Sequence, residues 1–482
     1  MHTDKFDPLI GNGSWINGRW VKSESKFPVI NPATEQVVTA LYEVTMEQAE
    51  TAITSAEEAF RHWSQTTAQE RSDILRRWYE LLLTHIDALA ELLTKEQGKP
   101  VGEAKAEIRY GADYIRWYSE ECRRLYGETI PGPTQNKRII VLRQPIGVTA
   151  AITPWNFPNA MIARKAAAAI AAGCTMVVKP SELTPLSALA LAKLGQMAGL
   201  PDGVLQVLVG TDAEKIGEML TTHPAIQALS FTGSTEVGRK LASRCGEHLK
   251  RVTLELGGNA PFIVFDDADL GVAVDGLMQA KFRNAGQTCI CSNRVLVQDS
   301  ILTPLLEKLH AKVKKLRVGD GLLEHTQIGP LIQPQACQKV AHLLDDASRK
   351  GAKITQFNET PPTHGYFCAP AIVTNVTPNM AIYREEIFGP VVAIMSFATE
   401  DEAIRLANDT QAGLAAYLYT QNPSRIWRMV DQLEYGMVGI NDAAISNPAA
   451  PFGGIKASGF GREGSRHGLD EFTYLKYLSW GI

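Results

Sequence analysis

The sequence predicts an α/β protein in three parts, and three observations carry that expectation. From Gly147 onward short apolar runs alternate with helical stretches, which implies a parallel sheet covered by helices. At 482 residues the chain exceeds what one compact core supports, so two or three domains are expected. Two strand-like segments, one near Ile139 to Arg143 and one from Phe472 to Trp480, lie outside that alternation and read as an exposed arm that wants a partner.

In chain order, Trp15-Ile16-Asn17-Gly18-Arg19-Trp20 reads as a hairpin, because Asn-Gly supplies the positive φ angles of a tight turn. Asn31-Pro32-Ala33-Thr34 is another turn. From about Thr45 to Tyr126 apolar residues recur at helical spacing, Met46 opening one helix and Ser72 to Leu93 carrying the clearest pattern. Gly127 to Asn136 is a Pro/Gly-bearing break. Strands are expected at 147–152, 175–178, 204–209, 228–231, 252–254 and 262–265, with Thr184 as N-cap and Pro185 as first residue of one intervening helix. A second α/β stretch runs from Asp269 to about Asp442, and the tail after Phe452 is glycine-rich.

Composition narrows the partners. An apolar share of 45% with 21% charged residues fits a globular protein, and a net charge of −4 over this length argues against nucleic-acid or anionic-membrane partners. Met1 to Asp7 lack the basic and apolar regions of a secretory signal, and no run reaches the ~20 apolar residues of a membrane span. Seven scattered cysteines form no disulfide framework, so a reduced, cytoplasmic compartment is expected. No Cys/His cluster has zinc-ligand spacing, and no metal is expected.

The chemistry concentrates in two stretches. Leu254-Glu255-Leu256-Gly257-Gly258 puts a carboxylate at the end of an apolar run beside paired glycines, and Gly286-Gln287-Thr288-Cys289 puts a cysteine in a small polar loop. A thiol with a carboxylate that can activate water suits covalent acyl chemistry followed by hydrolysis. Most cysteines, however, are small buried hydrophobes, and most carboxylates are solvated.

Other motifs sit at strand ends. Thr153-Pro154-Trp155-Asn156 offers an amide donor suited to an oxyanion, or an ordinary turn asparagine. Phe231-Thr232-Gly233-Ser234-Thr235 follows a strand and opens a helix; its free N–H groups suit a phosphate, and plain capping by Ser234 or Thr235 fits equally. In Lys179-Pro180-Ser181-Glu182 the lysine suits a ribose hydroxyl. Glu182 suits an adenosine 2′-OH and would repel a 2′-phosphate, although solvated loop charges are the commoner fate. Glu386 and Phe388 stand two apart, a spacing that lets both face one ligand. Gly459, Gly461 and Gly464 form a Gly-x-Gly-x-x-Gly pattern with no βαβ unit around it, and so read as a glycine-rich loop.

Pro154-Trp155-Asn156-Phe157-Pro158, Phe231-Thr232-Gly233-Ser234-Thr235, Leu254-Glu255-Leu256-Gly257-Gly258, Gly286-Gln287-Thr288-Cys289, Glu386-Ile387-Phe388-Gly389-Pro390 and Pro451-Phe452-Gly453-Gly454 together closely resemble the NAD(P)-dependent aldehyde dehydrogenases, in order and over nearly the whole chain. The resemblance implies a Rossmann-like cofactor domain (1–126 and 147–256), an α/β catalytic domain (257–456) and a β oligomerisation arm (127–146 and 457–482), in a homodimer or homotetramer. It implies Cys289 as nucleophile, the Asn156 side chain and the Cys289 N–H as oxyanion hole, Glu255 as the base that activates water, and Lys165 as its proton partner. It places the cofactor on Thr153, Trp155, Lys179, Pro180, Ser181, Glu182, Gly233, Ser234, Leu256, Glu386 and Phe388. Bacterial members selective for NADP tend to carry a small residue where Glu182 stands here, so NAD is the expected cofactor, with NADP left open.

Met161-Ile162-Ala163-Arg164-Lys165, Phe282-Arg283-Asn284 and Ala444-Ile445-Ser446-Asn447 look like the succinate-semialdehyde dehydrogenase branch. Arg164, Arg283 and Ser446 at a pocket mouth would suit the distal carboxylate of a short ω-oxo acid aldehyde, since guanidinium binds carboxylate by two parallel hydrogen bonds. Salt bridges are the alternative for both arginines. Glutarate semialdehyde or another ω-oxo acid is the rival substrate, and a non-catalytic NAD-binding or structural protein is the rival from another class. Cys291, two residues from Cys289, is expected either to pack inside or to pair with Cys289 on oxidation.

Overall fold

The computed structural model describes residues 9–357 and 362–482; the reading of Met1 to Asp7 therefore lies outside the described residues. Two large sheets organise it. In the first, five parallel strands run in the order Arg251–Glu255, Ile226–Thr232, Val148–Ile152, Thr175–Lys179, Leu205–Val207. Numbered along the chain this is 5-4-1-2-3, so the order reverses between Val148–Ile152 and Ile226–Thr232. Ligands bind in the crevice beyond the carboxyl ends at such a reversal. Antiparallel strands close both edges: Gly459–Phe460 on one side, the hairpin Ser14–Ile16 and Arg19–Val21 on the other. Asn17 and Gly18 take the positive φ angles that the hairpin requires (48° and 72°).

The second sheet orders Lys353–Gln356, Ala371–Thr374, Val391–Phe397, Ser292–Gln298, Ala260–Val264, Ala415–Tyr419 and Met437–Ile440, all parallel except the first. Its central strands are buried on both faces and correspondingly rich in Val, Ile and Leu. Leu256 to Asn259 carry the chain from one sheet to the other. A third sheet pairs Thr473–Gly481 with Lys137–Pro145 and Glu128–Ile130. The last strand falls inside the stretch expected as a simple break, because it needs only the edge of Lys137–Pro145 to pair with.

The N-terminal helices span Met46–Trp63, Ala68–Thr84, Ile86–Gln97 and Val101–Glu121, the first two opened by capping boxes at Thr45 and Thr67. Helix Ala160–Ala172 is buried along its whole length, which alanines allow by letting sheet and helices approach closely, and it carries Arg164 and Lys165 into the interior. One cap differs from expectation. Helix Leu186–Met197 begins after Pro185, and Thr184 does not cap it. Buried Glu96 reaches over from another helix instead, accepting from the N–H groups of Leu186 (2.7 Å) and Ser187 (2.9 Å). A carboxylate satisfies two orphan donors where one hydroxyl satisfies one.

Candidate active site

The carboxyl edge of the first sheet faces the amino edge of the second, and the cleft between them holds about half of the residues singled out above. It encloses about 420 Å³ and is lined by Trp155, Asn156, Gly233, Ser234, Glu255, Leu256, Cys289, Glu386 and Phe388, with Lys339 beside them. Trp155 and Asn156 follow strand Val148–Ile152, Gly233 and Ser234 follow Ile226–Thr232, and Glu255 ends its own strand. Cys289 and Glu386 arrive on loops that precede strands Ser292–Gln298 and Val391–Phe397.

The loop that leads to Cys289 is unusually wound. Asn284, Ala285 and Gly286 have φ of 51°, 55° and 79° in succession. A side chain on Gly286 would lie 2.2 Å from the Gly389 carbonyl, so glycine is required there. Left-handed backbone at Asn284 and Ala285 costs roughly 1–3 kcal/mol each, and such strain clusters at functional sites. Phe388, with φ of 54°, is a second case, and its ring meets Trp155 edge-on at 5.6 Å.

The paired glycines make room for Glu386. A Cβ on Gly257 would stand 2.9 Å from Glu386 Oε2, and the Gly258 N–H donates to Glu386 Oε1 at 3.2 Å. Burial raises the Glu386 carboxyl to about 7, with Gly258, Lys339 and Lys281 opposing. The Cys289 thiol is pushed up to about 12 by burial, against the pull of Arg164 and Arg283 and with added repulsion from Glu386 and Glu255. Glu255 is likewise raised, by burial and then by Glu463, and neither of its oxygens has a hydrogen-bond partner among the described residues. Thiolate and carboxylate are both anions, so their shared burial and mutual repulsion favour the neutral form of each in this cleft.

Asn156 is fixed at both ends. Its Nδ2 donates to the Gln287 carbonyl at 3.0 Å, leaving one amide hydrogen free, and its own carbonyl accepts from Lys99 and Asn284. Lys165 Nζ donates to Ser230 Oγ at 3.0 Å and to Glu463; Arg164 Nε pairs with the same Glu463. Glu463 is thus a buried carboxylate holding two cations, kept below its usual range by Arg164 and Lys165 although burial works the other way. Sequence reasoning missed it inside the glycine-rich loop at 459–464, where only the charge at 463 could have marked it.

The remaining candidates divide. Lys179 Nζ bonds Glu182 Oε2 at 3.0 Å, and Thr153 donates its N–H to the Lys179 carbonyl at 3.1 Å. This group, with Pro180 and Ser181, sits at the neighbouring strand end, outside the cleft lining. Arg283 and Ser446 line a second cavity of about 150 Å³ together with Phe157, which also walls the first. Arg283 lies over the Phe157 ring at 4.8 Å and makes no ion pair within 4.0 Å among the described residues. Arg164 departs from expectation: it is buried beneath the site rather than at a mouth, because Glu463 draws it inward and the Phe452 ring covers it at 4.4 Å. Its Nη1 and Nη2 have no hydrogen-bond partner among the described residues. Cys291 is buried, its thiol 3.6 Å from the Lys281 carbonyl.

A dinucleotide fits the cleft. It lies at the strand-order reversal, Gly233 and Ser234 line it at a helix start, Thr232 Oγ1 is buried without a partner among the described residues, and Glu386, which takes the Gly258 N–H on one oxygen, has its other oxygen to accept from a ribose hydroxyl.

Comparison with known proteins gives a consistent result. The sequence model of the aldehyde dehydrogenase family matches residues 20–478. A 3-sulfolactaldehyde dehydrogenase of Pseudomonas putida is 49% identical, and a glutarate-semialdehyde dehydrogenase from P. putida KT2440 is 51% identical, each alignment covering 98% of both chains. The crystal structure of succinate-semialdehyde dehydrogenase from Burkholderia pseudomallei superposes with a TM-score of 0.97 at 48% identity over 100% of both chains. With its fold, its cleft and its sequence in agreement over nearly the full length, the chain belongs to the aldehyde dehydrogenase family, enzymes that oxidise small-molecule aldehydes with NAD(P).

Proposed function

We propose that this enzyme oxidises a short aldehyde carrying a distal carboxylate, succinate semialdehyde, to the dicarboxylate, and that it prefers NAD. The observation that carries the reading is Arg283: a cation with no ion pair within 4.0 Å among the described residues, in a small cavity that shares the Phe157 wall with the Cys289 cleft, beside Ser446, with Glu103 and the Lys99–Glu107 pair on the same lining. Arg164, sealed beneath the site against Glu463, acts only through its charge, and both arginines pull the Cys289 thiol downward against burial.

In this reading the Cys289 sulfur adds to the aldehyde carbon as thiolate while the free Asn156 amide hydrogen and the Cys289 N–H hold the developing oxyanion. NAD, when bound, supplies the hydride acceptor that turns this adduct into a thioester. Glu255, its acidity weakened by burial, then takes a proton from the water that cleaves the thioester, and Lys165 and Glu463 hold or pass that proton. Glu386 and Phe388 would hold the nicotinamide end, Gly233, Ser234, Trp155 and Leu256 the middle, and Thr153, Lys179, Pro180, Ser181 and Glu182 the adenosine. The Lys179–Glu182 pair supports NAD, since its carboxylate repels a 2′-phosphate.

Glutarate semialdehyde is the second reading, supported by the relative of that name; one methylene is worth only about 1–3 kcal/mol of discrimination. We also assign the third sheet to pairing with a second copy in a dimer or tetramer, because its edge strand exposes Leu475, Tyr477 and Trp480.

The direct test is Arg283→Gln. Loss of a charge-assisted bidentate contact should raise KM for succinate semialdehyde by about 10²-fold while leaving an uncharged aldehyde within about twofold. Equal effects on both substrates contradict the assignment.

A further inference from the structure

The mechanism above makes no use of the charged cluster at the start of helix Val101–Glu121, although that cluster touches both halves of the site. Lys99 is about 1% exposed, Glu107 about 2%. Lys99 Nζ bonds Glu107 Oε2 at 2.6 Å and the Asn156 carbonyl at 2.7 Å, and it lies over the Phe157 ring at 3.9 Å. The other oxygen of Glu107 accepts the N–H groups of Asn159 (2.9 Å) and Ala160 (3.2 Å), the start of the next helix. One turn earlier, Glu103 Oε2 accepts the Asn284 N–H at 2.7 Å, inside the left-handed turn that leads to Cys289. Asn284 Nδ2 closes the circuit, donating to the Asn156 carbonyl at 2.9 Å.

We infer that Lys99 is a positioning residue for the oxyanion hole: with Glu107 and Glu103 it locks the Asn156 segment and the Cys289 loop into one register, so that the Asn156 amide and the Cys289 N–H converge on a single point. This rests on the proposed role of Asn156. The physical need is plain. The two donors come from segments on different sheets, and the Cys289 loop is strained, so their separation depends on the hydrogen bonds that join the segments and on what anchors those bonds. A carbonyl pinned by an ammonium and by an amide cannot rotate, and Asn156 Nδ2 is tied to Gln287 at its other end. A misplacement of about 1 Å in such a constellation can lower a rate about 10²-fold. A buried lysine is costly to place even when its charge is matched by Glu107.

The test uses full-length Lys99→Met and, because that change leaves Glu107 uncompensated, Lys99→Met/Glu107→Gln, which leaves no orphaned charge and carries the test if the single variant fails to fold. Each is measured with and without Asn156→Ala. Four readouts separate positioning from general damage: aldehyde oxidation, the p-nitrophenolate burst of cofactor-free p-nitrophenyl acetate hydrolysis, which reports acylation by the thiol in the oxyanion hole before Glu255 is needed, alkylation of Cys289 by iodoacetamide, which needs no oxyanion hole, and NAD affinity. Oxidation and the ester burst rate should fall about 10–100-fold with alkylation and NAD affinity within about twofold. In the Asn156→Ala background the Lys99 change should add less than about twofold. Full additivity, or alkylation falling in parallel, overturns the inference. If Asn156→Ala alone leaves the ester burst rate unchanged, the role of Asn156 fails first and this inference with it.

Discussion

In the proposed mechanism Cys289 is the nucleophile, and its environment makes it a protected thiol at rest. Burial pushes its pKa up to about 12, and Arg164 and Arg283 only partly offset this. In the cofactor-free enzyme the thiolate fraction should therefore rise about tenfold per pH unit from pH 7 to about pH 10. The rate of alkylation by iodoacetamide reports this directly; a plateau below pH 8 would contradict it. Glu255 carries the complementary shift. A carboxyl raised above its ordinary value stays protonated further toward neutrality, and as pH rises it becomes the better-matched base for water. The residues of this centre were legible in the sequence because each sits at a strand end in a short motif of small or rigid neighbours. Glu463, Lys99 and Glu103 were not. They reach the site only through tertiary contacts spanning 57 to 298 positions, and a lone charge in a loop or helix start carries no local signature.

The elements follow local rules wherever those rules have no competitor. The Asn17-Gly18 hairpin, the capped helices at Thr45 and Thr67 and the strand run from Val148 to Glu255 all form where periodicity and turn chemistry put them. Expectation fails where a distant group does the same task better: Glu96 replaces Thr184 as the cap of helix Leu186–Met197, and an available edge turns residues 128–130 into a strand. The arm is the element whose proposed role lies outside one chain. Its terminal strand leaves Leu475, Tyr477 and Trp480 more than 60% exposed along an unpaired edge. Leu475→Lys/Trp480→Lys should shift the particle to a smaller mass in light scattering with its circular dichroism unchanged. A variant that keeps the wild-type mass would remove the arm from the interface.

At the scale of the whole molecule, two sheets meet edge to edge, carboxyl ends against amino ends. The candidate site lies in the seam, and each sheet contributes to its lining: Asn156, Ser234 and Glu255 from the first, Cys289 and Glu386 from the loops of the second. The arginines behind this seam give the enzyme its proposed preference. The most direct measurement is NAD reduction at saturating cofactor, comparing succinate semialdehyde with butanal, an uncharged aldehyde of equal carbon count. The carboxylate site predicts kcat/KM higher for the acid by about 10²-fold. Equal kcat/KM values would leave an aldehyde dehydrogenase in which Arg164, Arg283 and Ser446 hold the fold and not the substrate.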